Sequence, residues 1–317
     1  MEMHYTITKP EHGSADWLAL RWKTEEGLAR ISASLAAVVH GEHPFVTKAD
    51  LATDLLAAQP PQPQEANQAM ARGTTLEPVV AGMAQKLIGR ELYEPEVMYC
   101  WDEPGVRLIA TLDRMDAAND VYEIKTIARH WRGVLEPYWH WQGVQQSICT
   151  GNRDIFWIIF DSSLDIHVHK QTVSSDERGY HIEKCREFLA AIDMGMMPSD
   201  AVVEYKHVVK RFPEGDKDPD KAVDLGPDVL AMLERYMLAK EQKQQAETVE
   251  DLIKAQICEM LGEAEYGLMQ DELLVTWKTA SRTSFDMKKF EAEHPALATK
   301  YKKQTKYRTF RVVGKDK

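Results

Sequence analysis

Apolar residues alternate with polar ones in short stretches through the middle of the chain, and recur every three to four positions on either side of it. The period-two stretches predict strands at VMYCW (97–101), VRLIATLDRMD (106–116), VYEIKT (121–126), DIFWIIF (154–160) and IHVHK (166–170). AAND (117–120) reads as a hairpin turn between two of them, and DSSLD joins the last pair. Residues 14–39 predict two helices, with Trp17, Leu18, Leu20 and Arg21 sharing a face of the first and a serine-rich ISAS opening the second. Further helices are expected over 65–89, with Gly73 and Pro78 as irregularities, and over 136–151. PPQPQ (60–64) is incompatible with regular structure and marks a loop.

These elements predict an α/β (α+β) core, a central mixed β-sheet flanked by helices, over residues 1–207. A charged connector follows at 208–227, containing PEGDKDPDK, and then a C-terminal helical and β extension at 228–317. In that extension 228–261 has long helical character, as two helices or one long hairpin. LLVTWKTA (273–280) and YRTFRVV (307–313) read as a terminal pair of strands. There is no internal repeat and no low-complexity tract.

Composition narrows the class. Of 317 residues, 44% are hydrophobic and 28% charged, ordinary values for a globular protein with a sizeable core. No apolar run approaches the roughly 20 residues of a membrane span, and the start has no signal-peptide pattern, so a cytoplasmic protein is expected. Cys100, Cys149, Cys185 and Cys258 lie far apart, which argues against a disulfide framework or a zinc or iron–sulfur site. The net charge of −11 weighs against sequence-independent binding of nucleic acid. An enzyme that cuts nucleic acid with metal ions nevertheless needs acidic residues in its site, so the charge decides little.

The chemistry concentrates in ATLDRMDAANDVYEIKTI (110–127). Glu123 and Lys125 project from the same strand face, and a hairpin through AAND can bring Asp113 beside them. Two converging carboxylates suit a hard divalent cation, Mg²⁺ or Mn²⁺, and an adjacent lysine can orient water or offset phosphate charge. The same pattern fits a surface hairpin with a cross-strand salt bridge. Three other features bear on the choice: Glu77 on the 65–89 helix, Gln142 and Gln145 on the aromatic-rich helix after the strand, and Arg21 near the small hydroxyls of ISAS.

In that order, Trp-x3-Arg (Trp17, Arg21), ISAS, Glu77, Asp113-x9-Glu123-x-Lys125 and a glutamine helix, the sequence resembles the phage lambda exonuclease and YqaJ-type viral recombinase nucleases of the PD-(D/E)xK superfamily. The resemblance covers roughly residues 14–195. One position departs from it: the motif aspartate usually follows a proline, and here follows Leu112.

The resemblance implies a restriction-endonuclease-like core and metal-dependent 5′-to-3′ digestion of one strand of linear duplex DNA. The product would be a 3′ single-stranded tail for single-strand-annealing recombination. It implies metal ligation by Asp113, Glu123 and the Ile124 carbonyl, with Glu77 completing the site and helping to hold a second ion. Lys125 and Gln142 would position the attacking water, with Gln145 as the competitor for the latter place. Arg21, Ser34 and Thr111 would hold the 5′ phosphate, and Arg129, His130 and Arg132 could add positive charge. A ring-shaped homotrimer, an annealing-protein partner and a phage or prophage origin are implied too.

Two readings compete: an endonuclease or single-strand nuclease on the same core, which has no need of a 5′-phosphate pocket, and a DNA-binding or assembly module that has lost catalysis. Trp131, Tyr138, Trp139 and Trp141 fit either base stacking or the core. The tail 300–317 carries eight basic residues and one acidic one, which suits phosphate contacts or plain solvation.

Overall fold

The period-two stretches form strands in the computed structural model, which describes residues 3–63, 67–216, 218–302 and 307–312. The chain divides into two units, Met1–Phe212 and Pro213–Lys317. The first is the mixed α/β architecture expected, but with two four-stranded sheets in place of a single one. One contains β1 (Met3–Thr8), β2 (Ile31–Ser32), β3 (Val97–Glu103) and β4 (Val106–Ala110), in the order β1-β3-β4-β2. The other contains β5 (Arg114–Met115), β6 (Val121–Thr126), β7 (Asp154–Phe160) and β8 (Ile166–Thr172), in sequential order. Both are mixed: β2 runs parallel to β4 and β6 parallel to β7, while the other pairs are antiparallel.

The stretch 106–116, expected as one strand, is where the sheets part. It is β4 up to Ala110 and β5 from Arg114, with residues 111–113 outside both. Thr111 and Asp113, two positions apart, therefore lie at this bend and not on one strand face. Asn119, at φ 63°, supplies the turn into β6.

Helices cover both faces of the second sheet. The first unit has α1 (Ala15–Trp22), α2 (Lys48–Leu55), α3 (Gln68–Ile88), α4 (Pro137–Thr150), α5 (Ser175–Asp193) and α6 (Tyr205–Arg211). Asn67 caps α3 by accepting from the Met70 N–H at 2.9 Å. Helix α4 begins with Pro137 at its first turn and ends on Gly151 at φ 80°, where a side chain would be strained. It is the crossover between parallel β6 and β7. Strand alternation then sorts β6: Tyr122 and Ile124 pack beneath Val80, Ala81 and Ala84 of α3. Glu123 turns to the opposite side, where α4 meets it. Trp139, Val144 and Ile148 of α4 join Trp157, Ile155 and Ile159 of β7 in the main core, with Trp131, Tyr138 and Trp141 packed at its margin.

Helix α6 spans the expected boundary at 207 and packs on α2, where His207 Nε2 lies 3.0 Å from Asp50. In the second unit, 228–261 is one continuous helix, α7 (Asp228–Leu261), with no buried residue. The expected strand pairing is replaced by a local hairpin of β9 (Tyr266–Met269) and β10 (Glu272–Thr276). Its two turn residues, Gln270 and Asp271, both have positive φ, the geometry that matches strand twist in a two-residue loop. Residues 307–312 form no strand. Helices α8 (Met287–Glu293) and α9 (Pro295–Tyr301) complete the unit. Gln64, the first two residues of the helix expected over 65–89, Lys217, and residues 303–306 and 313–317 of the basic tail lie outside the described residues.

All four cysteines are unpaired; Cys100, Cys149 and Cys185 are buried and Cys258 is partly exposed. Among the described residues, no helix is long and apolar enough to cross a membrane.

Candidate active site

Glu123 is held from three directions. It is 3% exposed, and a carboxylate so withdrawn from water needs compensating donors. Gln142 Nε2 donates to its Oε1, Gln146 Nε2 to its Oε2 at 2.6 Å, and Lys125 Nζ to Oε1 at 2.8 Å. The two glutamines stand one helical turn apart on α4, which lets them clasp both oxygens. Asp113 lies at the bend between the sheets, where its Oδ2 accepts the Ile124 N–H at 2.8 Å.

Loss of water and then the neighbouring Glu123 push the Asp113 carboxyl well above the usual carboxylate range, against the pull of Lys125. Burial works to lower Lys125, but Glu123 and Asp113 outweigh it, and the ammonium stays charged. Two crowded carboxylates with one lysine are what a divalent cation relieves, and an all-oxygen donor set fits Mg²⁺ or Mn²⁺. Glu77 is near enough to add to the upward push on Asp113, but its Oε1 accepts from Arg114 at 2.8 Å, and among the described residues no three His, Cys, Asp or Glu side chains converge to hold a metal.

These residues line a cavity of about 680 Å³ that also contains Arg21, Ser34, Thr111 and Gln142. Ser14 caps α1 through the Trp17 N–H, and α1 then stacks Arg21 on the Trp17 ring at 3.9 Å. The Arg21 guanidinium donates to Ser32 Oγ at 2.9 Å and to Ser34 Oγ. Burial lowers its pKa to about 10, still charged at neutral pH. The Thr111 hydroxyl oxygen is buried with no hydrogen-bond partner among the described residues. Pro78 removes an N–H from α3 and so frees the Thr74 carbonyl; Thr74, Glu77 and Pro78 all line the cavity.

One cavity thus brings together Arg21, Ser34, Glu77, Thr111, Asp113, Glu123, Lys125 and Gln142. It does not include Arg129, which pairs with Glu136, nor His130 and Arg132, which are exposed. Gln145 points away, donating to the Ile31 and Ile109 carbonyls at 2.7 and 3.1 Å, so Gln142 is the glutamine at the site. Sequence reasoning missed Gln146, although its place four residues after Gln142 put it on the same helix face. It also missed Arg114, His12, Lys9 and Glu94, which line the cavity with no motif to mark them.

Residues 16–151 match the YqaJ-like viral recombinase domain, so the family resemblance seen in the motifs holds over that stretch. The uncharacterized protein YqaJ of Bacillus subtilis (strain 168) is 24% identical over 93% of this chain and 92% of its own length. Among solved structures, an alkaline exonuclease from Laribacter hongkongensis is 21% identical with a TM-score of 0.44, covering 56% of this chain and 92% of its own. A phage-related exonuclease from Haemophilus somnus 129PT is 10% identical with a TM-score of 0.39, covering 53% of this chain and 96% of its own.

Proposed function

We propose that this protein is a metal-dependent nuclease that digests linear duplex DNA from its 5′ ends and leaves 3′ single-stranded tails for annealing-type recombination. The observation that carries the reading is the shared cavity: a carboxylate–lysine group and a half-buried arginine with hydroxyl donors open into the same space. The first suits phosphodiester hydrolysis and the second suits a terminal phosphate, and only end-directed digestion needs both.

Asp113, Glu123 and the Ile124 carbonyl would hold Mg²⁺ or Mn²⁺. When bound, the ion supplies positive charge at the scissile phosphate and makes water more acidic. Lys125 donates to the attacking water or to a phosphate oxygen, its ammonium fixed by Glu123. Gln142 and Gln146 keep both Glu123 oxygens in place, so that carboxylate enters the reaction without reorganising. Arg21 and Ser34 offer a guanidinium and a hydroxyl to the 5′ phosphate, Ser32 holds the guanidinium in place, and the Thr111 hydroxyl, unpartnered among the described residues, can add a second. The sequence resemblance further supports a ring-shaped homotrimer around the duplex and a single-strand annealing protein as partner.

The test is digestion of linear duplexes in Mg²⁺, with and without 5′ phosphates. The phosphorylated strand should be lost faster, Arg21→Ala should erase that preference, and Lys125→Ala should abolish cleavage of both. Cutting of closed circular DNA would instead establish an endonuclease, and no cleavage of any DNA would leave a binding module.

A further inference from the structure

Glu77 is the carboxylate that would be expected to hold a second metal ion, but its charge is already matched within the protein. Arg114 Nη1 donates to Glu77 Oε1 at 2.8 Å and to the Asp113 carbonyl at 2.5 Å. Arg114 is 7% exposed and lies on the wall of the same cavity as Asp113, Glu123 and Lys125. A guanidinium so withdrawn from water needs an anionic partner. Apart from Glu77, the ion-pair partner is Glu94, farther off at 3.8 Å. Among the described residues, Nε and Nη2 of Arg114 make no hydrogen bond to the protein.

This geometry opposes a second dication. An ion arriving at Glu77 would find one carboxylate oxygen already taken by Arg114 and would have to sit beside that guanidinium's positive charge, or displace it and strand it, and either course is unfavourable. The guanidinium is also tied by the Asp113 carbonyl, in the residue that immediately precedes it, so it cannot move away independently of the primary site.

Building on the nuclease reading above, we propose that the site takes one divalent cation per chain, on Asp113 and Glu123, and that Arg114, anchored by Glu77, is the resident cation in place of a second ion. Glu77 is then a positioning residue for Arg114 and not a metal ligand. The open N–H groups of Arg114 are donors available to a phosphate oxygen of the bound strand, the charge compensation that a second metal ion would otherwise give.

The experiment is a calorimetric titration of the full-length protein with Mn²⁺ in the absence of DNA, which requires no turnover. The native protein should bind one Mn²⁺ per chain, and Asp113→Asn should remove it. Arg114→Met frees Glu77 without emptying the space, and should double the stoichiometry to two. Arg114→Lys keeps the charge and should stay at one, and Glu77→Gln should also stay at one. Two ions on the native protein would overturn the proposal, as would Arg114→Met remaining at one while its Asp113-dependent ion is retained. Absence of any Mn²⁺ binding by the native protein would instead overturn the metal-dependent reading itself, a result readily told apart from two ions.

Discussion

Helices α4 and α7 solve the same local problem by opposite means. Helix α4 has 14 residues and buries nine of them, including three glutamines. Helix α7 has 34 residues, about 50 Å of helix at the usual rise, and buries none. Both carry many apolar side chains. Those of α7 include Met232, Tyr236, Leu252, Ile253 and Met260, all exposed. A helix in the core owes its stability to packing; one without a buried face depends on residue propensity, and α7 is rich in alanine, glutamate, glutamine, lysine, leucine and methionine. The lesson is that apolar content does not tell where a helix lies. Function follows the same divide, since the proposed catalytic group is held by the buried helix.

Substitutions should separate the two regions sharply. Trp157 is fully buried in the first unit, stacked with Trp139 at 6.1 Å, and its indole donates to Gln171. Trp157→Ala should cost about 3–5 kcal/mol by cavity formation, read as a lower thermal midpoint of the first unit. Equal stability of that variant and the native protein would remove the basis of the contrast.

Acid should also act on the first unit. His40 and His181 share a hydrogen bond at 2.8 Å beside Trp141. Burial, with Lys48, Lys184 and His140 nearby, lowers His40 to about 4, and burial, with His40 and His140 nearby, lowers His181 to about 3. Both lie below the unfolded value of about 6.5, so below that pH the unfolded chain takes up protons that the folded protein refuses. Their contribution is therefore complete near pH 7 and is lost as pH falls through about 4 and then about 3, an effect on the order of several kcal/mol. Urea titrations across that range should show the loss in the tryptophan fluorescence of the first unit, and His181→Gln should reduce it.

Gln146→Ala leaves one Glu123 oxygen without its donor and should cost about 1–2 kcal/mol, partly recovered on Mn²⁺ binding. A purely structural glutamine would show no recovery. At the small end, Ile253→Ala in α7 should change stability by no more than about 0.5 kcal/mol. The amides of α7 should also exchange with solvent faster than those of α4.

Much of this was legible in the sequence because β6 and α4 carry strong local signals. Alternation in VYEIKT fixes which side chains turn toward α4, and Pro137 with Gly151 brackets the helix. Where partners are distant, the signal fails. Strand β1 is short and mixed in character, and pairing with β3 is what makes it a strand. The parting of the sheets at 111–113 has no proline or glycine to announce it. The β9–β10 turn uses Gln270 and Asp271, not the glycine that usually marks such loops. The Glu77–Arg114 pair spans 37 positions and two elements, so no spacing rule could reveal it.

The distribution of thiols has a practical outcome. Burial pushes the Cys100 thiol up to about 11 and raises those of Cys149 and Cys185 as well, so each is both inaccessible and protonated at neutral pH. Cys258, near the end of α7, stands partly open. A maleimide dye or nitroxide should therefore attach at one place on the native sequence. That gives a fluorescence or spin reporter on the second unit without removing a single cysteine.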